Sequence, residues 1–409
     1  MTVAGFKISR HTGPTTSSAG SDDAGSGAAL ASLTVERLTL NDYRNYRRLR
    51  VDPDPTAVVL TGANGAGKTN LLEALSFLAP GRGLRNARLG DICRADAGDA
   101  AHWAVSARLR GSNSTVEIGT GGDSESSGDR RVVRIDGTPI RGQAPLAERL
   151  GVLWLTPTMD RLFIEGPAAR RRFLDRLVTG LEPGHARQLS AFERSLRERG
   201  RLLSERADDG WLSAVEETMA AHAVAVAAAR RESVARLSAA LARDQGPFPR
   251  ASLAIGGEVE NWLDDMPAVD VEHRLCQALR ASRGRDAESG GASHGPHRSD
   301  LEVINLDKAM PAHQCSTGEQ KALLIAMVLA NTRLHTARRG EPPLLLLDEI
   351  VAHLDPDRRA VLLDRILATG AQAWLTGTEP NLFESIVGRA QFFTLRDGAI
   401  EPTSGMAGS

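Results

Sequence analysis

Lysine is scarce. Of the 50 basic residues in 409, only Lys7, Lys68, Lys308 and Lys321 are lysine, and the rest are arginine. The plain reading of that bias is genome composition, and each retained lysine becomes worth placing. Cysteine is scarcer. Cys93, Cys276 and Cys315 are odd in number and far apart, which excludes a disulfide framework and a cysteine metal site. Such usage suits a reducing cytosol. No apolar run approaches the roughly 18 residues of a membrane span, and the N-terminus lacks the continuous apolar stretch of a secretory signal. Excess charge is also missing: the net charge is −1, so the global balance does not advertise a nucleic-acid partner.

What remains is an ordinary soluble globular composition, 41% apolar and 25% charged. The length suggests two to three domains at about 150 residues each. Residues 1–31 are rich in Gly, Ser, Thr, Asp and Ala and read as a disordered extension. Residues 32–180 begin an α/β domain that includes a β-rich lobe over 99–140. There Trp103–Val105, Ser114–Ile118 and Val132–Ile135 are strand candidates and Gly119–Gly128 a polar loop. Asn41-Asp42 reads as a turn between two strands. Residues 181–285 become Arg- and Ala-rich with helical spacing, an inserted antiparallel hairpin with arms of roughly 35 and 50 Å. Ser282–Ser293 reads as a linker. Over residues 286–402 the α/β pattern returns, with a helix at Lys321–Thr332, a buried strand at Leu344–Leu347, a helix at Pro356–Thr369 and a strand at Ala373–Leu375.

Chemistry concentrates at the two ends. Gly62-Ala63-Asn64-Gly65-Ala66-Gly67-Lys68-Thr69 matches G-x-x-x-x-G-K-T between the strand Ala57–Leu60 and a helix running to about Ala79. Such glycines let backbone N–H groups close around a phosphate, and the helix adds its positive end. Lys68 can reach the β- and γ-phosphates, and the Thr69 hydroxyl can hold Mg²⁺. The apolar run Leu344–Leu347 delivers Asp348 as the metal-side carboxylate and Glu349 as the base that orients or activates water. Ser316-Thr317-Gly318-Glu319 is a small-residue turn opening a helix, another place for an anion; alone it could equally be an ordinary helix cap. Arg82, Arg85 and Arg88 follow the first helix, where similarity to SMC-type heads implies candidate DNA contacts. Between Arg170 and Arg206 ten arginines face five acids, so Arg170-Arg171-Arg172 offer a further phosphate-binding patch or a solvated helix face.

The order of P-loop, signature turn, acidic strand and His353-Leu354-Asp355 resembles the ABC-type ATPases. That resemblance implies an α/β P-loop head with an inserted helical hairpin domain. It also implies ATP shared by two heads, Ser316 and Gly318 reaching the γ-phosphate held by the opposite subunit. In detail, LTLNDYRNY (38–46), GRGLR (81–85), GPAARRRFLD (166–175), GPHRSDL (295–301) and Ser316–Lys321 resemble the RecF family of bacterial DNA gap-repair proteins over about 33–400. The family resemblance implies a slow, DNA-stimulated ATPase that uses Mg²⁺ and forms an ATP-dependent homodimer. It further implies action in the cytoplasm on gap junctions between single- and double-stranded DNA, with RecR and RecO as partners, before RecA loads and in support of the SOS response. There are departures. Thr317 replaces a usual glycine, and Glu349 stands where the family commonly has a second aspartate. Thr376-Gly377-Thr378 lies where many ABC proteins carry a switch histidine, and no glutamine-loop residue stands out. His294, His297 and Arg298 could pack near nucleotide or at a domain seam. Rival functions at this stage are another SMC-like chromosome or DNA-end ATPase, a transporter's ATPase subunit, and an adaptor gated by nucleotide without hydrolysis.

Overall fold

The computed structural model describes residues 32–98, 102–112, 114–123, 130–352, 354–396 and 398–403. The 1–31 extension, the polar-loop residues 124–129 and His353 lie outside the described residues. The chain opens with the hairpin β1 (Thr34–Tyr43) and β2 (Tyr46–Val51), then β3 (Ala57–Thr61), the glycine loop and α1 (Lys68–Ser76). β1 stays paired with β2 past Asn41-Asp42, although Asp42 takes a positive φ of 42°, and the reversal falls at Arg44-Asn45, where Arg44 takes a φ of 55°. β4 (Ala104–Arg110), β5 (Thr115–Gly122), β6 (Arg131–Ile135) and β7 (Thr138–Ile140) extend an antiparallel sheet ordered β2-β1-β4-β5-β6-β7. α2 (Ala144–Arg149), β8 (Val152–Leu155) and α3 (Pro167–Leu181) lead into the long pair α4 (Gly184–Ser204) and α5 (Asp209–Ala242).

The hairpin is therefore present, but it does not stand free. β9 (Ala251–Gly256), α6 (Glu258–Asp265), α7 (Ala268–Ala281) and α8 (Arg283–Ser289) fold back onto it. One stretch of α5, Met219–Ala227, packs with α6 and α7, while Val234, Leu237 and Leu241 join the core of the α/β domain. Two separate neighbours explain why its apolar stripe is imperfectly spaced. The expected linker after Ser282 contains α8 because its acid is sequestered: buried Asp286 accepts from Arg199, Ser282 and Ser293.

β10 (Asp300–Asn305) and β11 (Met310–Pro311) form a small sheet with β9. Then come α9 (Thr317–Arg339), β12 (Leu344–Leu347), α10 (Pro356–Leu367), β13 (Ala373–Gly377), β14 (Ala390–Arg396) and β15 (Ala399–Pro402). The central sheet runs β15-β14-β3-β13-β12-β8, parallel except at β15. Both faces of its central strands are covered, so β8 and β12 are apolar throughout and β3 and β13 nearly so. Val58, Leu60, Leu344, Leu346 and Trp374 face α1 and the antiparallel sheet; Val59, Leu345, Leu347, Ala373 and Leu375 face α3, α9 and α10. Period-two alternation thus divides one sheet between two cores. Parallel strands also place the loops after β3, β8, β12 and β13 along one edge, where α/β sheets bind ligands. Among the described residues no helix is long and apolar enough to cross a membrane.

Candidate nucleotide-binding site

The glycine loop is shaped by positions that tolerate no side chain. Gly62 and Gly67 have φ of 145° and 105°. A Cβ on Gly62 would lie 2.5 Å from the Leu395 carbonyl oxygen, and one on Gly67 2.5 Å from the Tyr46 hydroxyl. Tyr46 fixes the loop's end by donating to the Gly67 carbonyl at 3.0 Å. No side chain caps α1, and its first turn carries no acid, so its N–H groups remain free for an anion. Lys68 folds over the loop, its Nζ donating to the carbonyls of Gly62 (2.6 Å) and Ala63 (2.9 Å). Burial lowers its pKa, against the pull of Glu349 and Asp348. Gly62–Ala66 border a cavity of about 940 Å³, with Asn45, Thr378 and Arg396 on its other sides.

The acidic pair meets this loop at the sheet edge. Thr69 Oγ1 lies 3.0 Å from both carboxylate oxygens of Asp348. Buried Thr376 donates to Asp348 Oδ1 at 2.7 Å and accepts from the Glu349 N–H at 2.9 Å. Glu349 has a φ of 50°, a backbone conformation that a non-glycine residue keeps only where its surroundings impose it. Lys321, from α9, reaches the Glu349 and Ala352 carbonyls at 3.4 and 3.3 Å. Thr69, Asp348 and Glu349 together border a second cavity of about 500 Å³, shared with Arg85 and Thr156. A hydroxyl beside a carboxylate is the oxygen donor set that suits Mg²⁺ next to phosphates. Thr156 follows β8, which pairs with β12, so the loop over Thr156–Thr158 abuts Asp348. Sequence reasoning passed over this loop; its signal was the apolar run Val152–Leu155 ending in Thr-Pro.

Ser316 and Gly318 are not brought to this P-loop. Ser316 caps α9 in a reciprocal box: its hydroxyl accepts from the Glu319 N–H, and its own N–H donates to Glu319 Oε2 at 3.0 Å. Lys308 pairs with Glu319. Ser316, Thr317 and Gly318 are exposed, and none of them borders either cavity.

The model for the RecF/RecN/SMC N-terminal domain matches residues 34–400. The DNA replication and repair protein RecF of Mesorhizobium japonicum is 50% identical over 378 residues, covering 91% of this chain and 99% of its own. The chain belongs to the RecF family. RecF of Rhizobium rhizogenes is 49% identical over 369 residues, 90% of this chain and 98% of its own. Two solved structures of the recombination mediator protein RecF, described with ATPrS and with ATP, superpose with TM-scores of 0.80 and 0.78 at 19% and 20% identity. They cover 92% and 91% of this chain and all of theirs. The fold is thus that of a RecF-type ABC ATPase head.

The basic candidates of this RecF-family chain separate once partners are visible. Arg82 and Arg88 are exposed. Arg85 is exposed too, but its Nη1 donates to Asn70 at 2.6 Å and lies 3.4 Å from Glu73. Buried Glu73 is held by Arg44 through two bonds of 2.9 and 2.8 Å. Arg170-Arg171-Arg172 do not form the free phosphate-binding patch that their sequence offered. Arg170 forks onto Asp300, both bonds 2.7 Å, and Arg171 donates to the Ser299 carbonyl at 2.6 Å. Both secure α3 to β10, and only Arg172 is exposed. The GPHRSDL segment lies at the seam beside them. His297 and Arg298 bond the Ala292 carbonyl, and His294 pairs with Glu258.

Proposed function

We propose that this chain is an ATP-dependent DNA-binding protein of recombinational gap repair and replication restart. In this reading it binds ATP, dimerises on DNA at junctions of single and double strands, and hydrolyses ATP slowly under DNA stimulation. It acts in the cytoplasm with RecR and RecO, helps load recombinase and supports the SOS response. The observation that carries the reading is the junction of Thr69, Asp348, Thr376 and Glu349 beside the P-loop. It joins a phosphate cradle, an oxygen donor pair and a carboxylate base at one sheet edge.

The loop N–H groups and the start of α1 receive the phosphates, and Lys68 exchanges the Gly62 and Ala63 carbonyls for phosphate oxygens. Thr69 and Asp348 would hold Mg²⁺, which offsets phosphate charge. Glu349 orients water for attack on the γ-phosphorus and accepts its proton. The exposed turn Ser316–Gly318 meets the nucleotide of a second copy. ATP turnover with and without gapped DNA tests the reading. DNA is expected to raise the wild-type rate, and Lys68→Ala to abolish tight ATP binding while the chain stays folded. Turnover indifferent both to DNA and to Lys68→Ala would refute it.

A further inference from the structure

The structure assigns Thr376 as a positioning residue of the hydrolytic centre, which holds the Glu349 backbone in place without touching nucleotide. The inference rests on the ATPase reading above. β13 is buried along its whole length, and Thr376 is the hydroxyl-bearing residue in Ala373–Gly377. Valine has the same shape and suits a strand covered on both faces, whereas a buried hydroxyl must find partners. Thr376 finds both. A hydroxyl has one hydrogen and two acceptor sites; here the hydrogen goes to Asp348 Oδ1 and a lone pair takes the Glu349 N–H.

Register makes this possible. β12 and β13 pair in parallel with Leu347 beside Leu375, so Thr376 stands beside Asp348 as the chain leaves the sheet. One hydroxyl thus ties two successive residues with different tasks, the metal-side acid and the base. The second of them is the residue at φ 50°. Lys321 holds the Glu349 carbonyl from the other side, so both polar backbone groups of the base are fixed. Thr376 does not border the cavity over the P-loop, whereas Thr378 does. Of the two threonines at the position of a switch histidine, Thr376 is therefore already committed to the acidic pair.

Thr376→Val removes both bonds at nearly constant volume; Thr376→Ser keeps them. The test uses the full chain and reads ATP affinity with a fluorescent ATP analogue, single-turnover hydrolysis, and amide exchange across 347–351. The valine variant is expected to keep affinity within about threefold, lose at least about tenfold in turnover, and exchange faster across 347–351. Serine is expected to stay near wild type in all three. Combined with Glu349→Gln, valine should cost little more, because Thr376 acts through that residue. Turnover of the valine variant within about twofold of wild type, while Glu349→Gln is dead, would overturn the inference and leave the ATPase reading standing. Unchanged exchange across 347–351 in the valine variant would also overturn it, a readout that survives if hydrolysis is lost for other reasons. Wild-type hydrolysis unaffected by Glu349→Gln would instead sink the ATPase reading itself.

Discussion

His335 shows how one side chain sets a stability limit. It is buried on α9, with Nδ1 2.9 Å from the Glu341 carbonyl. A Cβ on Gly151 would lie 2.2 Å from its Nε2, so Gly151 is small because the imidazole is there. Burial first, then Arg339, lowers its pKa from 6.5 to about 4. The unfolded chain takes up the proton near 6.5 and the folded chain does not. This stability is therefore fully present above pH 6.5 and drains away as the pH falls towards 4, on the order of 3 kcal/mol in all. Thermal melting from pH 8 to 4 should show a steep loss in wild type and a shallower one in His335→Leu. Parallel pH profiles would contradict it. Residues differ in how openly the sequence displays them. Lys68, Thr69 and Asp348 were legible because phosphate chemistry demands those types at fixed spacing around strand ends. Thr376 was less so, because a threonine in an apolar strand acquires a role only when register sets it beside Asp348.

Elements were legible where the apolar run is long or closely tied to a motif. The P-loop unit β3–α1, the acidic strand β12 and the long helices followed from pattern, α5 less cleanly because it packs on two neighbours. β8, β9 and β14 were passed over, since short apolar runs do not declare their sheet partners, and α8 was hidden by polar residues whose partners lie on other elements. Charge counting failed in α3 for the same reason: it tallies arginines without their acids. What remains free is informative. Arg82, in the segment after α1, and Arg172, on α3, are both exposed and border one cleft of about 610 Å³. Arg170 and Arg171 are spent on Asp300 and Ser299. DNA affinity should therefore fall steeply with salt, and Arg82→Glu with Arg172→Glu should reduce the log–log slope by about one unit per lost phosphate contact. Arg170→Glu should instead destabilise the fold. A slope unchanged by the first pair would remove this cleft from the DNA surface.

For the whole molecule, the decisive feature is a separation. The P-loop and the Asp348-Glu349 pair sit together at one sheet edge, while Ser316–Gly318 open α9 on exposed surface away from both cavities. An exposed turn remote from its own P-loop, its helix start already closed by Glu319, is placed to meet the nucleotide of a second copy. Assembly and chemistry are then separable. Glu349→Gln keeps size and hydrogen bonding but cannot accept water's proton; it should bind ATP, dimerise and persist as a dimer. Ser316→Arg puts a bulky cation at the seam; it should bind ATP as a monomer and stay one. Sedimentation velocity of these two variants, with and without saturating ATP, tests the shared site directly. The account predicts an ATP-dependent dimer for Glu349→Gln and none for Ser316→Arg. A monomeric Glu349→Gln at saturating ATP, or a Ser316→Arg that dimerises with ATP, would contradict it.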